Sequence, residues 1–226
     1  MTKDNSKALV VLSGGQDSTT CLYWAIDRFG RANVSSITFD YGQKHRIELE
    51  CARNVAADTG VPNVCLPIDT FAALGGDALT DAAIAVSDAA DEETELPVTF
   101  VPGRNLIFMT FAAAYAYRHD ARHLVTGVAQ TDYSGYPDCR ETTMAALQEA
   151  ITLGMDREFT IHTPLMHRSK KETVELAVQL GALDAMALTH TCYNGRRPPC
   201  GECQACRLRA RGFAEAGVRD PLLDIR

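Results

Sequence analysis

Short apolar runs alternate with longer amphipathic stretches along most of the chain, and that rhythm predicts strands and helices in turn. Residues 7–13 (KALVVLS) read as a buried strand, and 17–30 (DSTTCLYWAIDRFG) as a helix stopped by Gly30. A second strand spans 33–40 (NVSSITFD) and ends in a turn at Tyr41-Gly42. Residues 44–60 (KHRIELECARNVAADTG) carry Ile47, Leu49 and Val55 at helical spacing, with Gly60 as the stop. A third strand follows at 63–69 (NVCLPID). Residues 105–120 (NLIFMTFAAAYAYRHD) form a strongly apolar helix, and 123–129 (HLVTGVA) a fourth strand. Another helix is expected at 139–155 and a fifth strand at 159–165 (FTIHTPL). Residues 169–181 (SKKETVELAVQLG) open with Ser169 and place Glu172 three positions on, the pattern of a capping box. The acidic, Ala- and Gly-rich stretch 70–96 breaks the rhythm. It reads as a surface excursion with short structured pieces at most, and as the most mobile part of the chain.

Strands alternating with helices imply βαβ units, so the fold class is α/β: an open, mostly parallel sheet with helices on both faces. In such sheets ligands sit beyond the carboxyl ends of the strands. Ser13 to Ser18, Asp40 to His45 and Gly127 to Arg140 all fall there, which places one site among them.

Composition changes this picture little. The 226 residues suit one domain with a small appendage, and 46% hydrophobic with 23% charged residues supports a packed core. No run reaches the roughly 18 apolar residues of a membrane span. The N-terminal stretch MTKDNSKALVV has no hydrophobic region ahead of a cleavage site, which argues against secretion and for a cytoplasmic protein. A net charge of −7 argues against a nucleic-acid partner, while leaving room for a small anion in a local basic pocket.

Candidate chemistry begins where the first strand ends. Ser13-Gly14-Gly15-Gln16-Asp17-Ser18 is neither a Walker P-loop nor a dinucleotide fingerprint. Bare glycines at 14 and 15 let phosphate oxygens approach the backbone. Ser13, Ser18 and Thr19 add hydroxyls, and the helix N-terminus adds partial positive charge. Asp17 fits an anion site only if it holds Mg²⁺ or caps the helix. An ordinary capped strand–helix turn is the plainer reading of a glycine pair, though not of the full string.

Eight cysteines invite a disulfide reading, but Cys21, Cys51, Cys65 and Cys139 are scattered through helix and strand patterns. The other four give Cys192, then Cys200-x-x-Cys203-x-x-Cys206. Paired C-x-x-C turns with one distant partner complete a tetrahedral thiolate set, so a structural zinc site is expected. An iron–sulfur cluster is the main competitor, although the fourth cysteine lies upstream of the run rather than downstream beside a proline. Disulfides rank third.

The loop resembles the PP-loop of the ATP pyrophosphatase superfamily, whose members cleave ATP between the α and β phosphates and adenylate an oxygen. Adding FDYGQKH (39–45), VPGRN (101–105), DYSGYPDCR (132–140), TPL with SKKET (163–173) and THTCYNG with CGECQAC (189–206), the chain resembles the QueC family of queuosine-precursor biosynthesis from its first strand to about residue 213. The resemblance implies conversion of 7-carboxy-7-deazaguanine, ammonia and two ATP to the 7-cyano compound, in a zinc protein that is a homodimer. It implies a PP-loop domain at 1–188 and a zinc-binding segment at 189–226. It assigns ATP, with Mg²⁺, to Leu12, Ser13, Gly14, Gly15, Gln16, Asp17, Ser18, Thr19, Thr20, Cys21, Leu22, Asp40, Tyr41 and Lys170. Asp17, Arg104 and Lys170 take catalytic roles. Substrate contacts fall to Gln43, Arg104, Asn105, Asp132, Tyr133, Tyr136 and Asp138, with Asp132 or Asp138 reading the ring. On position alone Lys170 would be a solvated surface residue and Arg104 a packing or surface one. His167-Arg168 stand where the family more often has a hydrophobic pair, and the 77–96 stretch is unusually acidic. Two other readings stay open: a tRNA-thiolating PP-loop enzyme, which would use a catalytic cysteine pair, and a zinc-ribbon binding module, which would need neither the loop nor VPGRN.

Overall fold

Alternation along β1 (Ala8–Val11) sends Ala8 and Val10 into one hydrophobic cluster and Leu9 into another, so both faces of this strand are covered. The computed structural model describes residues 4–43, 46–80, 83–84, 96–130 and 136–224. Five strands form one parallel sheet in the order β3-β2-β1-β4-β5, with β2 at Val34–Asp40, β3 at Asn63–Pro67, β4 at His123–Val125 and β5 at Thr160–His162.

On one face, α1 (Gln16–Phe29) and α2 (Ile47–Thr59) pack Leu22, Ala25, Ala52 and Val55 against Ala8 and Val10. Leu176 of α6 (Lys170–Gln179) joins them. On the other face, α4 (Arg104–Arg118) and α5 (Glu141–Met155) bring Met109, Ala112, Ala113 and Ile151 against Leu9, Ile37 and Leu124. Because β1 lies between β2 and β4, the chain leaves β1 and β4 toward opposite faces and a crevice opens between their ends. Gly60 ends α2 in the left-handed conformation, with φ 68°. Ser169 and Glu172 form the reciprocal capping box of α6.

Three expectations change. β4 stops at Val125 instead of running to residue 129, because the chain turns to lay Gly127 against the start of α1. A Cβ on Gly127 would stand 3.1 Å from the Asp17 carbonyl carbon and the Ser18 nitrogen, so a longer side chain could not follow that path. The excursion after β3 is anchored rather than loose over its first part. Phe71 of α3 (Thr70–Leu74) is buried against Tyr41 and Phe108, Asp77 accepts from the N–H groups of Leu79 and Thr80 at 2.9 Å, and Ala78 bonds Val98. The expectation of mobility bears mainly on 81–82 and 85–95, outside the described residues. A further helix, α7 (Gln204–Glu215), follows the cysteines and was not anticipated. It packs on α6 through Phe213 with Val174 and Ala177, and Gly212 permits the approach: a Cβ there would meet Lys170 Cβ at 2.9 Å.

Candidate functional site

At the end of β1, the loop folds on its own hydroxyls. The Ser13 N–H donates to Ser18 Oγ at 3.2 Å, the two serine hydroxyls lie 3.0 Å apart, and the Ser18 hydroxyl donates to the Gly15 carbonyl at 3.1 Å. Gly15 is the N-cap of α1 and no side chain caps the helix, so its first N–H groups keep no intrahelical partner. Among the described residues, three buried side-chain atoms in the same turn also find no hydrogen-bond partner: Gln16 Nε2, Asp17 Oδ1 and Thr19 Oγ1. Buried polar groups are rarely left so in a native fold, and a concentration of them marks where a polar ligand belongs.

The two glycines differ. Gly14 has φ 87°, and a Cβ on it would lie 2.3 Å from the Glu48 carbonyl oxygen and 2.7 Å from the Ala52 nitrogen. It is bare so that the loop can dock on the backbone of α2, which corrects the expectation that a phosphate needs the space. Gly15 has no neighbour closer than 3.5 Å to such an atom and lines the cavity.

Lys170, the first residue of α6, is not a solvated side chain. Its Nζ donates to Asp17 Oδ2 at 2.7 Å, with the lysine side chain only 13% exposed. Asp17 therefore has one oxygen held by a cation and the other buried without a partner.

The opposite wall is built by α2, α4 and the end of β2. Arg104, at the first position of α4, donates to the Tyr41 hydroxyl at 3.4 Å, and its guanidinium lies 5.7 Å from the centre of that ring. Burial works against the Arg104 charge, but the phenols of Tyr41, Tyr136 and Tyr193 and the Asp138 carboxylate more than offset it, so the cation is held. Burial pushes the Tyr41 hydroxyl up to about 12. Gln43 accepts from the Tyr41 N–H at 2.9 Å and donates to the Phe39 carbonyl at 3.4 Å, which fixes the turn after β2. Glu48, in the first turn of α2, also lines the cavity, and burial raises its carboxyl to about 7 while Arg104 draws it down. The two walls enclose about 290 Å³, enough for part of a nucleotide and a small planar ring.

Cys192, Cys200, Cys203 and Cys206 gather with every pair of sulfurs within 4.8 Å. A tetrahedral zinc site with Zn–S near 2.3 Å needs sulfurs about 3.8 Å apart. Cys200 and Cys206 stand at 3.8 Å, so the cluster fits that metal. N–H groups of Cys203 and Glu202 point at Cys200 Sγ at 3.4 Å and lower its thiol, as suits a ligand that must bind as thiolate. His190 joins this cluster to the loop: its N–H donates to the Gly14 carbonyl at 2.9 Å, and its Nε2 lies 2.9 Å from the Cys192 carbonyl. Behind it, the buried Arg209 makes a two-pronged pair with Asp220 at 2.6 and 2.8 Å and donates to Thr189 and Thr191.

Of the residues singled out from sequence, Leu12, Ser13, Gly15, Gln16, Asp17, Ser18, Tyr41, Gln43, Arg104, Asn105, Tyr136, Lys170 and Cys192 line one cavity. Thr19, Thr20, Cys21 and Leu22 are buried along α1 behind it. Asp40 is not in the lining; it pairs with the exposed Arg46. Asp138 is not in it either, because its Oδ2 accepts both the N–H and the side-chain amide of Asn105 at 3.0 Å. Asp132 and Tyr133 lie outside the described residues. Glu48, His190 and Arg209 line the cavity without having been anticipated. The spacing of Glu48 within its helix marks it only as a polar position.

The family model "Queuosine biosynthesis protein QueC" matches residues 7–217. The chain is 67% identical over 220 residues to the 7-cyano-7-deazaguanine synthase of Chromobacterium violaceum, covering 97% of this chain and 94% of that one. It is 62% identical to the 7-cyano-7-deazaguanine synthase of Laribacter hongkongensis, covering 98% and 96%. Among solved structures it is similar to a predicted subunit of a tRNA methyltransferase from Methanocaldococcus jannaschii, with a TM-score of 0.50 at 18% identity over 76% of this chain and 74% of that one, a likeness of fold.

Proposed function

The chain belongs to the QueC family of queuosine biosynthesis proteins, and from that premise we propose that it makes 7-cyano-7-deazaguanine from 7-carboxy-7-deazaguanine and ammonia, with two ATP converted to AMP and pyrophosphate. It is an ATP-dependent enzyme that forms C–N bonds, and the thiolation and binding-module readings fall away. The observation that carries the finer reading is the set of orphaned donors and acceptors in the β1–α1 turn, beside a lysine and across from a half-buried arginine.

The chemistry needs that pairing. A carboxylate oxygen leaves poorly, so it must first be adenylated. The departing pyrophosphate then requires N–H donors and positive charge where its own charge develops. The first turn of α1, the Ser13 and Ser18 hydroxyls and Lys170 supply these, and Asp17 Oδ1 suits Mg²⁺ carried by the triphosphate. Arg104 faces the substrate carboxylate and Tyr136 offers a ring for the deazaguanine to stack on. Asp138 serves the ring indirectly by holding Asn105. The amide formed first has an equally poor leaving oxygen, so the same site acts twice. We assign residues 1–188 to this catalysis and 189–226 to a structural zinc site that props the loop through His190. We take the enzyme to be a cytoplasmic homodimer. Exposed Phe111 and Tyr117 on α4 and Leu153 on α5 offer apolar surface for pairing. Among the described residues no helix is long and apolar enough to cross a membrane, and free thiolate ligands suit a reducing compartment.

The test is mass analysis of a reaction holding the protein, ATP, Mg²⁺, ammonium and 7-carboxy-7-deazaguanine. Two AMP per nitrile, with the primary amide as a transient or as an accepted substrate, is the expected result. One AMP per product, stopping at the amide, would refute the nitrile assignment. Purified protein should carry about one zinc per chain; iron with labile sulfide would overturn the metal assignment.

A further inference from the structure

Glu48 is the cavity residue that the proposed steps leave without a task. It lines the same space as Gly15, Asp17, Lys170 and Arg104. Its own backbone carbonyl is the surface on which Gly14 docks, so the side chain is tied to the loop's position. Among the described residues no hydrogen bond or ion pair holds its carboxylate. Arg104 is near enough to be felt electrostatically but does not close on it. Glu48 is half-buried, and a carboxylate turned into such a cavity is costly unless a cation or a proton completes it.

Resting on the reaction proposed above, we propose that Glu48 is the ammonium subsite and the proton acceptor of the enzyme: it takes NH₄⁺ as its counter-ion, accepts a proton, and releases neutral ammonia toward the adenylated carbonyl held by Arg104. The balance is simple. The N–H electron pair becomes the nitrogen lone pair, which forms the C–N bond as the C–O bond to AMP breaks. AMP leaves with the former carboxylate oxygen. The nitrogen then sheds its remaining protons in turn, one as the amide forms and two as the second adenylate collapses to the nitrile. Each passes to Glu48 and on to solvent. No oxidant or reductant is involved.

The surroundings agree with that duty. Burial lifts the Glu48 carboxyl to about 7, where a general base works best near neutral pH. The groups in its field are Arg104 on α4, Tyr41 at the end of β2 and Cys51 on its own helix, and the Asp17–Lys170 pair shares the cavity. Tyr41 and Cys51 are both pushed up, chiefly by burial, which leaves Glu48 as the group among these three that titrates near neutrality.

The test compares nucleophiles and pH in the intact enzyme. In wild type, kcat/KM for total ammonium should rise with pH and level off above about 7. With Glu48→Gln, turnover with ammonium should fall about 100-fold or more. With hydroxylamine, whose nitrogen is already unprotonated near neutrality, the loss should stay under about tenfold. The variant's ammonium profile should lose its plateau and climb with the fraction of free ammonia. Equal losses with both nucleophiles, a plateau that survives in the variant, or a wild-type profile without one would each overturn the proposal. Wild type that makes no nitrile at all would remove the reaction itself, and this role with it.

Discussion

The two walls of the cavity are built on opposite principles. The β1–α1 wall is made of consecutive residues, Ser13 to Thr19, and presents backbone N–H groups, hydroxyls and a lysine-held carboxylate in a fixed turn. The α2–α4 wall is made of residues far apart in sequence, Tyr41, Glu48, Arg104 and Tyr136, and its two charged groups, Glu48 and Arg104, are partly stranded by burial. The first wall is fixed by its own hydrogen bonds and leaves orphaned polar atoms that wait for a ligand. The second carries charge that the fold tolerates at a cost. Binding geometry is thus inherent in local chain direction on one side, and chemistry in tertiary burial on the other.

If the loop wall depends on backbone docking, Gly14→Ala should be the most damaging small change in the molecule. The added Cβ would collide with two backbone atoms of α2, at 2.3 and 2.7 Å, and no side chain can swing away to relieve it. The positive φ adds strain of its own. A loss of about 3–6 kcal/mol is expected in denaturant unfolding, with little folded protein if the wild type is of ordinary stability. Wild-type stability in this variant would show that the loop does not rest on α2.

The second wall should respond in the opposite direction. The Glu48 carboxyl has a folded-state value raised from 4.5 to about 7, so the folded protein binds the proton more tightly than the unfolded chain. Its favourable contribution is present below pH 4.5 and is lost as pH rises to about 7. Glu48→Gln removes this charge. The variant should therefore be the more stable by about 2 kcal/mol at pH 8, after allowance for partial exposure, and the difference should vanish below about pH 4.5. Unfolding curves at the two pH values check this. A variant less stable than wild type at pH 8 would mean that a partner holds the carboxylate.

The same contrast explains what was legible in the amino-acid order. The strand–helix rhythm, the Ser169–Glu172 capping box and the four-cysteine spacing are local patterns, and the structure follows them closely. The loop was legible because its ligand-facing groups are consecutive. Gly14 was misread because a bare position next to a ligand loop looks the same whether a phosphate or a helix occupies the space. Lys170 was placed by family resemblance, since only folding brings it 2.7 Å from a residue 153 positions away. Glu48 and Arg209 carried no signal, and His190 carried none beyond its place in THTCYNG: each is an ordinary polar residue until β-strand order sets its neighbours. Anchoring of Phe71 and Ala78 was hidden for the same reason, inside a stretch whose acidity spoke only of solvent.

The sharpest test of the comparison is also the mildest substitution. Gly15 adjoins Gly14, yet its φ of −86° and ψ of 170° are open to any residue. A Cβ there would meet the His190 carbonyl oxygen and Ser13 Oγ at 3.5 Å, ordinary contact distances. Gly15→Ala should leave stability within about 1 kcal/mol of wild type, with loss of unfolded-state freedom offsetting any crowding. The methyl group would nevertheless stand on the cavity wall at the N-cap of α1, where the phosphates must reach the first N–H groups. Losing one good contact there, about 1.4 kcal/mol, means a roughly tenfold rise in the KM for ATP. Two adjacent glycines in one loop would then fail in different ways, Gly14 in folding and Gly15 in binding. A Gly15→Ala enzyme with unchanged KM for ATP would show that the phosphates do not approach this turn, and that the orphaned polar groups of α1 serve something else.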